Sequence, residues 1–293
     1  MNRSLTAAAG RFGLTLCALT LAFVVGQHLW GYYMDEPWTR DGRVRASVVE
    51  VAPDVSGLIA EVAVADNARV KAGDLLFRID PRRFEIALAQ ADAALANKQA
   101  TLAQAQRDAE RYGKLNDSAV TQQKHEQVQT ELAQDLAAVA QAQSDRDLAA
   151  LNLERASVRA PVDGTITNFD LRPGNYVSAG KGVAALVDAA SFYVAGYFEE
   201  TKLPRIHVGD PVRIHLMGAS TPLSGRVESI AAGIEDRERS DGATLLANVT
   251  PTFSWVRLAQ RVPVRIALDP TPGLTLVAGR SATVEVLPAP AGS

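Results

Sequence analysis

Cysteine is almost missing from this chain: Cys17 is the only one in 293 residues, so no intrachain disulfide can staple the fold and no thiolate set can hold structural zinc. Aromatic residues are scarce at 6%, although the apolar fraction of 47% is ordinary. An excess of positive charge is missing too. Against 30 Lys+Arg stand 33 Asp+Glu, a net charge of −3, which excludes a protein whose main task is neutralising nucleic-acid phosphates. There is no G-x-S-x-G nucleophile elbow, and the adjacent acids Glu199 and Glu200 point to opposite faces of a strand, so they cannot share a substrate. No two of the 4 histidines have helical metal spacing. Gly180-Lys181-Gly182-Val183-Ala184-Ala185 fits G-x-G-x-x-A, with Glu199 about twenty residues on. The stretch follows Pro173-Gly174 and runs into strand-like sequence, however, where a dinucleotide site needs a strand before it and a helix after it. Composition and motifs thus predict no catalytic centre, no cofactor and no metal. Length alone gives about two domains at roughly 150 residues each.

What the chain does contain begins with an uncharged run of 23 residues from Phe12 to Met34, against the roughly 20 that a membrane span needs. Arg3 and Arg11 precede it, Asp35 and Glu36 follow, and Trp30, Tyr32 and Tyr33 stand at its exit end. That asymmetry predicts a single-pass inner-membrane anchor with the N-terminus cytoplasmic and the bulk of the chain exported. A cleaved signal peptide is the alternative, although no A-x-A pattern follows, and Leu16 before Cys17 disfavours a lipoprotein.

An internal repeat is the most informative feature. Gly57, Ile59, Asn67, Val70 and Gly73 recur as Gly164, Ile166, Gly174, Val177 and Gly180 at a constant offset of 107. Each copy reads as short strands with a Gly or Asn turn, too small to bury a face alone, so the two are expected to pair into one β-sandwich. Between them, residues 82 to 156 have no proline, a single glycine, 19 alanines and 11 glutamines, which predicts helix almost everywhere. Phe84, Leu88, Ala91, Leu95, Leu102, Ala105, Ala109 and Tyr112 form a heptad seam on a first arm, interrupted by Lys98. Val128, Leu132, Leu136, Val139 and then Ala-rich positions as far as Leu151 and Leu153 are expected to form the seam of a returning arm. The break falls at 116–120, with Thr121 placed to cap the return helix. After Asp188 the period becomes two: Val212, Ile214, Leu216; Val264, Ile266, Leu268; Ala282, Val284, Val286. These predict half-buried strands of a small barrel or sandwich, with the charged segment 235–242 as an exposed loop.

The anchor, the split repeat around a helical hairpin and the β-rich remainder together resemble the periplasmic adaptors, or membrane fusion proteins, of the HlyD/EmrA type. Within that family, P-W-T-R-D-G-R-V-R-A (37–46), V-A-P-D-V-S-G-L-I (51–59), R-A-P-V-D-G (159–164), S-F-Y-V-A-G-Y-F-E-E-T-K-L (191–203) and W-V-R-L-A-Q-R-V-P-V-R-I (255–266) are similar to adaptors of aromatic carboxylic acid efflux pumps, such as those for p-hydroxybenzoate. The resemblance implies a mainly β fold with a long α-helical coiled-coil hairpin, a split lipoyl-like β-sandwich, a β-barrel domain and an N-terminal transmembrane helix. The expected parts are a cytoplasmic N-terminus (1–11), the anchor (12–34), a linker with a first strand of the membrane-proximal β region (35–48), a lipoyl-like domain in two halves (49–80 and 157–188), the hairpin (81–156), a β-barrel and membrane-proximal region (189–287) and a tail (288–293). The hairpin replaces the turn that bears the modified lysine in carrier enzymes, so lipoylation or biotinylation is not implied.

Adaptors of this family use an Arg, a Leu and a Ser at the hairpin tip to touch a TolC-type outer-membrane channel, and the matching positions are Arg111, Leu115 and Thr121. Thr121 departs from Ser but keeps the hydroxyl. Leu115 closing the hairpin core and Thr121 capping its helix are alternative roles. The implied partners are an inner-membrane transporter of the aromatic acid exporter type, the outer-membrane channel, and further copies of the chain in a hexamer. An adaptor serving a multidrug or secretion pump, and more remotely a carrier-domain enzyme subunit, are the competing readings.

Overall fold

In a computed structural model of the chain, residues 3–31, 36–114, 121–234, 239–241, 247–249, 259–270 and 275–288 are described. Helix α1 (Arg3–Trp30) and strand β1 (Trp38–Arg45) come first. Next follow β2 (Val48–Val51), β3 (Gly57–Val62), β4 (Arg69–Val70) and β5 (Leu75–Ile79). The hairpin helices α2 (Arg82–Gly113) and α3 (Gln122–Arg155) separate these from β6 (Ser157–Arg159), β7 (Gly164–Thr167), β8 (Tyr176–Val177) and β9 (Ala184–Asp188). The remainder supplies β10 (Tyr193–Glu199), a short 3-10 helix (Glu200–Arg205), β11 (Pro211–Leu216), β12 (Leu223–Ile230), β13 (Arg239–Asp241), β14 (Ala247–Val249), β15 (Arg261–Leu268) and β16 (Ser281–Val286). Two compact units result, Ser47–Ala190 and the paired segments Met1–Ala46 with Ser191–Ser293.

In the first unit the repeat is visible in three dimensions. One sheet runs β2-β9-β7-β4 and the other β6-β5-β3-β8. Shifting the first order by the offset of 107 turns it into the second, so each sheet takes two strands from each half. Equivalent residues fill the shared core: Ile59 and Ile166, Val70 and Val177, Ile79 and Leu186, none more than 5% exposed. Equivalent turns share a backbone conformation as well. Asn67 has φ 62° where the second copy has Gly174 at 92°, and Gly73 at 90° matches Gly180 at 75°. Left-handed backbone of this kind is open to glycine and tolerated by asparagine, which is why these residue types recur at these places. The G-x-G-x-x-A stretch is part of this pattern, because its turn passes directly into β9 and no helix follows.

Helices α2 and α3 are inserted between β5 and β6, which pair with each other through Leu75 and Arg159. At 1.5 Å per residue each arm is about 50 Å long. On α2, Phe84 and Ala105 are buried and the other expected seam residues are half-buried. The return arm differs from expectation. Its seam steps through Val128, Leu132, Asp135, Val139, Ala142, Arg146, Ala149 and Leu153, while Leu136 and Leu151 are 50% and 45% exposed. Two polar residues hold heptad positions, so a reading by apolar residues alone drifts one place off. Arg146 is tolerated because its Nε reaches across to Asp92 Oδ1 at 3.0 Å.

The second unit is a closed six-stranded barrel, β1-β10-β15-β12-β11-β16, with β16 returning to β1. Val212, Ile214, Leu216, Val264, Ile266, Ala282, Val284 and Val286 point inward with Val44, Val194 and Phe198, as period-two alternation demands, whereas Leu268 is only half-buried. Gly42 of β1 and Gly196 of β10 are cross-strand partners, and a Cβ on either would lie 2.7 Å from a neighbour, Val284 or Phe198. Gly196 thus makes room for the Phe198 ring, and Gly42 for Val284. The charged stretch 235–242 is expected as loop, yet Arg239–Asp241 pairs as β13 with β14; its other residues lie outside the described ones. Charge on alternate residues does not prevent a two-stranded ribbon from forming its ladder.

Helix α1 exposes Leu16, Leu19, Leu21, Phe23, Val24 and Trp30, each more than 60% accessible. Among the described residues no helix is long and apolar enough to cross a membrane.

Candidate functional site

Within the sandwich unit, the end of the hairpin away from β5 and β6 is where α2 stops and α3 starts. Gly113 closes α2, and the N–H of Lys114 donates to the carbonyls of Arg111 and Tyr112. Thr121 is the N-cap of α3 in an extended conformation (φ −71°, ψ 146°), and its carbonyl accepts the N–H groups of Lys124 at 2.9 Å and His125 at 3.3 Å. Its hydroxyl makes no cap hydrogen bond and Thr121 is exposed, so the side chain is available to something outside the chain.

Arg111 occupies the last turn of α2, where a cation complements the negative end of the helix dipole. Its side chain is 69% exposed and donates to Asp108 Oδ1 at 2.7 Å one turn back. This pair orients the guanidinium without covering it, and an exposed i,i+3 pair is worth only about 0.3–0.5 kcal/mol. The structure thus brings Arg111 and Thr121 to one end of the hairpin; Leu115 lies outside the described residues. A further contact at this end has no counterpart in the sequence reading. Lys124 Nζ stands 5.6 Å from the centre of the half-buried Tyr112 ring and ties the two arms together. Tyr112 ends the readable α2 seam, but nothing in the pattern singles out Lys124.

The opposite end of the hairpin is built on Asp80. Its carboxylate accepts Arg82 Nε at 3.0 and 3.1 Å, Arg82 Nη2 at 2.5 Å and the backbone N–H of Arg82 at 3.2 Å. The side-chain bonds to Arg82, then the backbone bond, hold its pKa down at about 2, and Arg82 is raised in turn. Along the arms, Arg146 is raised by its hydrogen bonds to Asp92 and Asp147. These are structural ion pairs on an open surface. Among the described residues no three His, Cys, Asp or Glu side chains come together as a metal cluster.

Residues 47–189 match the barrel-sandwich hybrid domain of RND membrane fusion proteins, and residues 191–287 match the AAEA-like β-barrel domain. The chain is 43% identical over 273 residues to the uncharacterized protein YdhJ of Escherichia coli (strain K12), covering 93% of this chain and 96% of that one. Among solved structures, the membrane fusion protein Spr0693 from Streptococcus pneumoniae R6 superposes with a TM-score of 0.64 at 17% identity, over 85% of this chain and 98% of that chain. A MacA-MexA chimeric protein carrying the Pseudomonas aeruginosa MexA α-hairpin domain superposes with a TM-score of 0.56 at 22% identity, over 87% of this chain and 83% of that chain. At such identities the likeness is one of fold.

Proposed function

Because the chain belongs to the membrane fusion protein family, the adaptors of RND-type tripartite efflux assemblies, we propose that it joins an inner-membrane exporter of aromatic carboxylic acids to a TolC-type outer-membrane channel. The observation that carries this is the hairpin inserted into a strand-exchanged sandwich, with Arg111 and an uncommitted Thr121 hydroxyl presented at its far end. The role is assembly, not catalysis. Arg111, Leu115 and Thr121 dock on the helices of the channel, and copies of the chain stand side by side in a hexameric ring. The uncharged run 12–34 holds the chain in the inner membrane with Arg3 and Arg11 on the cytoplasmic side; this placement rests on the sequence and on the exposed Leu16, Leu19, Leu21, Phe23 and Trp30, since among the described residues helix α1 alone is not long and apolar enough to cross. Aromatic acids such as p-hydroxybenzoate as cargo rest on the similarity of the segments 37–46, 191–203 and 255–266 to adaptors of that kind.

One experiment on the full chain in cells tests the reading. Wild-type protein is expected in alkali-washed membranes, to copurify with an aromatic acid exporter, and to crosslink from the hairpin tip to the channel. Arg111→Asp should lower crosslinking and p-hydroxybenzoate export about tenfold, the loss of a contact worth roughly 1.4 kcal/mol. Unchanged crosslinking in Arg111→Asp would refute tip docking, copurification of a drug pump instead would refute the cargo, and recovery in the soluble fraction would refute the anchor.

A further inference from the structure

The outer face of the barrel unit carries several clefts. Two of them, of about 830 and 770 Å³, share Asp41, Tyr197, Glu199 and Arg261, and so contain two carboxylates. A third, of about 290 Å³, is different. It lies over β10 between Tyr193 and Tyr197, with Ala195 as its floor, and Arg45, Arg265 and Pro263 border it. Among the described residues no carboxylate lines it.

Strand geometry explains the slot. Tyr193, Ala195 and Tyr197 alternate with the core residues Val194 and Phe198, so all three side chains project outward on one face. The two tyrosines are four residues apart, about 13 Å between Cα atoms, with the small Ala195 leaving a gap between them. On β1, Arg45 is paired with Tyr193 in register, and its guanidinium donates to the Tyr197 hydroxyl at 2.9 Å, spanning the slot. No carboxylate pairs with Arg45 among the described residues. On β15, the Arg265 guanidinium stacks 3.7 Å from the Tyr193 ring centre and spends its Nε on Glu228 at 2.8 Å. Pro263 faces Tyr197 and adds an apolar edge. The slot therefore combines two aromatic walls, a floor without bulk, and one guanidinium whose fork is largely unfilled.

We propose that the slot between Tyr193 and Tyr197 binds a monocyclic aromatic carboxylate, the ring entering between the tyrosines over Ala195 and the carboxylate accepting from Arg45. A fork of parallel N–H groups matches a carboxylate bidentately, and the planar walls match an aromatic ring better than an aliphatic chain. In both other clefts the lining cations already have carboxylates beside them, Asp41 and Glu199, and Arg261 is paired with Asp41, whereas the slot itself holds none among the described residues. An open slot with an exposed cation holds its ligand weakly, with Kd on the order of 1 mM, which suits a surface that must release what it binds. The inference deepens the efflux reading, on which the ligand's identity as cargo rests; binding itself can be measured without it.

Equilibrium dialysis of the full chain in detergent, against empty micelles, measures binding of benzoate and 4-hydroxybenzoate, with acetate and benzyl alcohol as single-feature controls. Both acids should bind at least about tenfold more tightly than either control, the order expected for a charge-assisted hydrogen bond. Arg45→Gln should weaken them about tenfold, while Arg213→Gln, at a β11 arginine paired with Glu285 of β16, should not. Tyr197→Phe, which frees Arg45 without removing its charge, should cost less than Arg45→Gln. Equal binding of acetate would overturn the aromatic part of the proposal, and undiminished benzoate binding by Arg45→Gln would overturn the site. Absence of binding alongside intact p-hydroxybenzoate export would sink the slot and leave the efflux reading standing; binding in a chain whose loss leaves export unchanged would support the slot and sink the cargo.

Discussion

Asp80 shows how one residue sets the entry to a helix. Its four hydrogen bonds to Arg82 stabilise the ionised carboxylate, and the pKa falls from 3.8 to about 2. A carboxylate depressed by folding contributes stability that is complete above its unfolded value and is lost as pH drops through its folded value. The sensitive window therefore runs from about 4 down to about 2. In an NMR titration the Asp80 carboxyl should report a midpoint near 2, and amide protection in the first turn of α2 should fade over the same interval. Asp80→Asn should remove that part of the acid response, and high salt should bring the midpoint back toward 3.8, because the pair is open to solvent. A midpoint of 3.8 at low salt would mean that the pair does not form.

The hairpin depends on what its helices leave out. Buried Ala105 and Ala142 let the arms approach closely, so Ala105→Leu should push them apart and cost about 1–3 kcal/mol. The expected outcome is a lower melting temperature of the helical circular dichroism signal; an unchanged melt would mean that Ala105 does not lie in a packed seam. Much of this element was legible in the sequence. Alanine richness and the missing proline announce the helices, and the α2 seam follows from apolar spacing because every position there but Lys98 is apolar. On α3 the same rule fails. Asp135 and Arg146 hold seam positions, since long or polar side chains can lie at an exposed two-helix seam with their heads in water or on a partner such as Asp92. The exposed Leu136 and Leu151 then attract an assignment they do not deserve. At the tip, Thr121 was legible as a helix cap, but the proposed docking role of Arg111 and Thr121 rests on family resemblance alone, because exposure and an unfilled hydroxyl leave no periodic trace. The slot over Ala195 was legible in neither way, as it needs Arg45 and Arg265 brought to β10 from distant parts of the chain.

At the scale of the molecule, two cores share no residue. One gathers Ile59, Phe77, Ile166 and Leu186, the other Val44, Phe198, Ile214 and Val284. Phe198→Ala should cost the barrel about 3–5 kcal/mol, because the space left beside Gly196, which has no side chain, cannot be filled by its neighbours. Calorimetry should resolve a lowered barrel transition while the hairpin's helical signal melts at its usual temperature. A common shift of both would refute separate cores. Strand alternation made the barrel's inward residues readable from sequence, but not its closure. That depends on β1, which precedes the whole sandwich in sequence yet pairs with both β10 and β16.

The exchange of strands between the two halves of the sandwich bears on the order in which the chain can fold. β3 and β5 leave the ribosome before β8 and β6, the strands they pair with, have been made. Their edges stay unmatched while the long insertion is synthesised, and closing so large a loop by chance is slow as well as entropically costly. Helices need only near neighbours and zip within microseconds. Once α2 and α3 lie side by side, Leu75 and Arg159 are joined by what is in effect a stiff turn, and the pairing of β5 with β6 becomes a local event. The hairpin that reaches away from the sandwich is then also the clasp that lets it close.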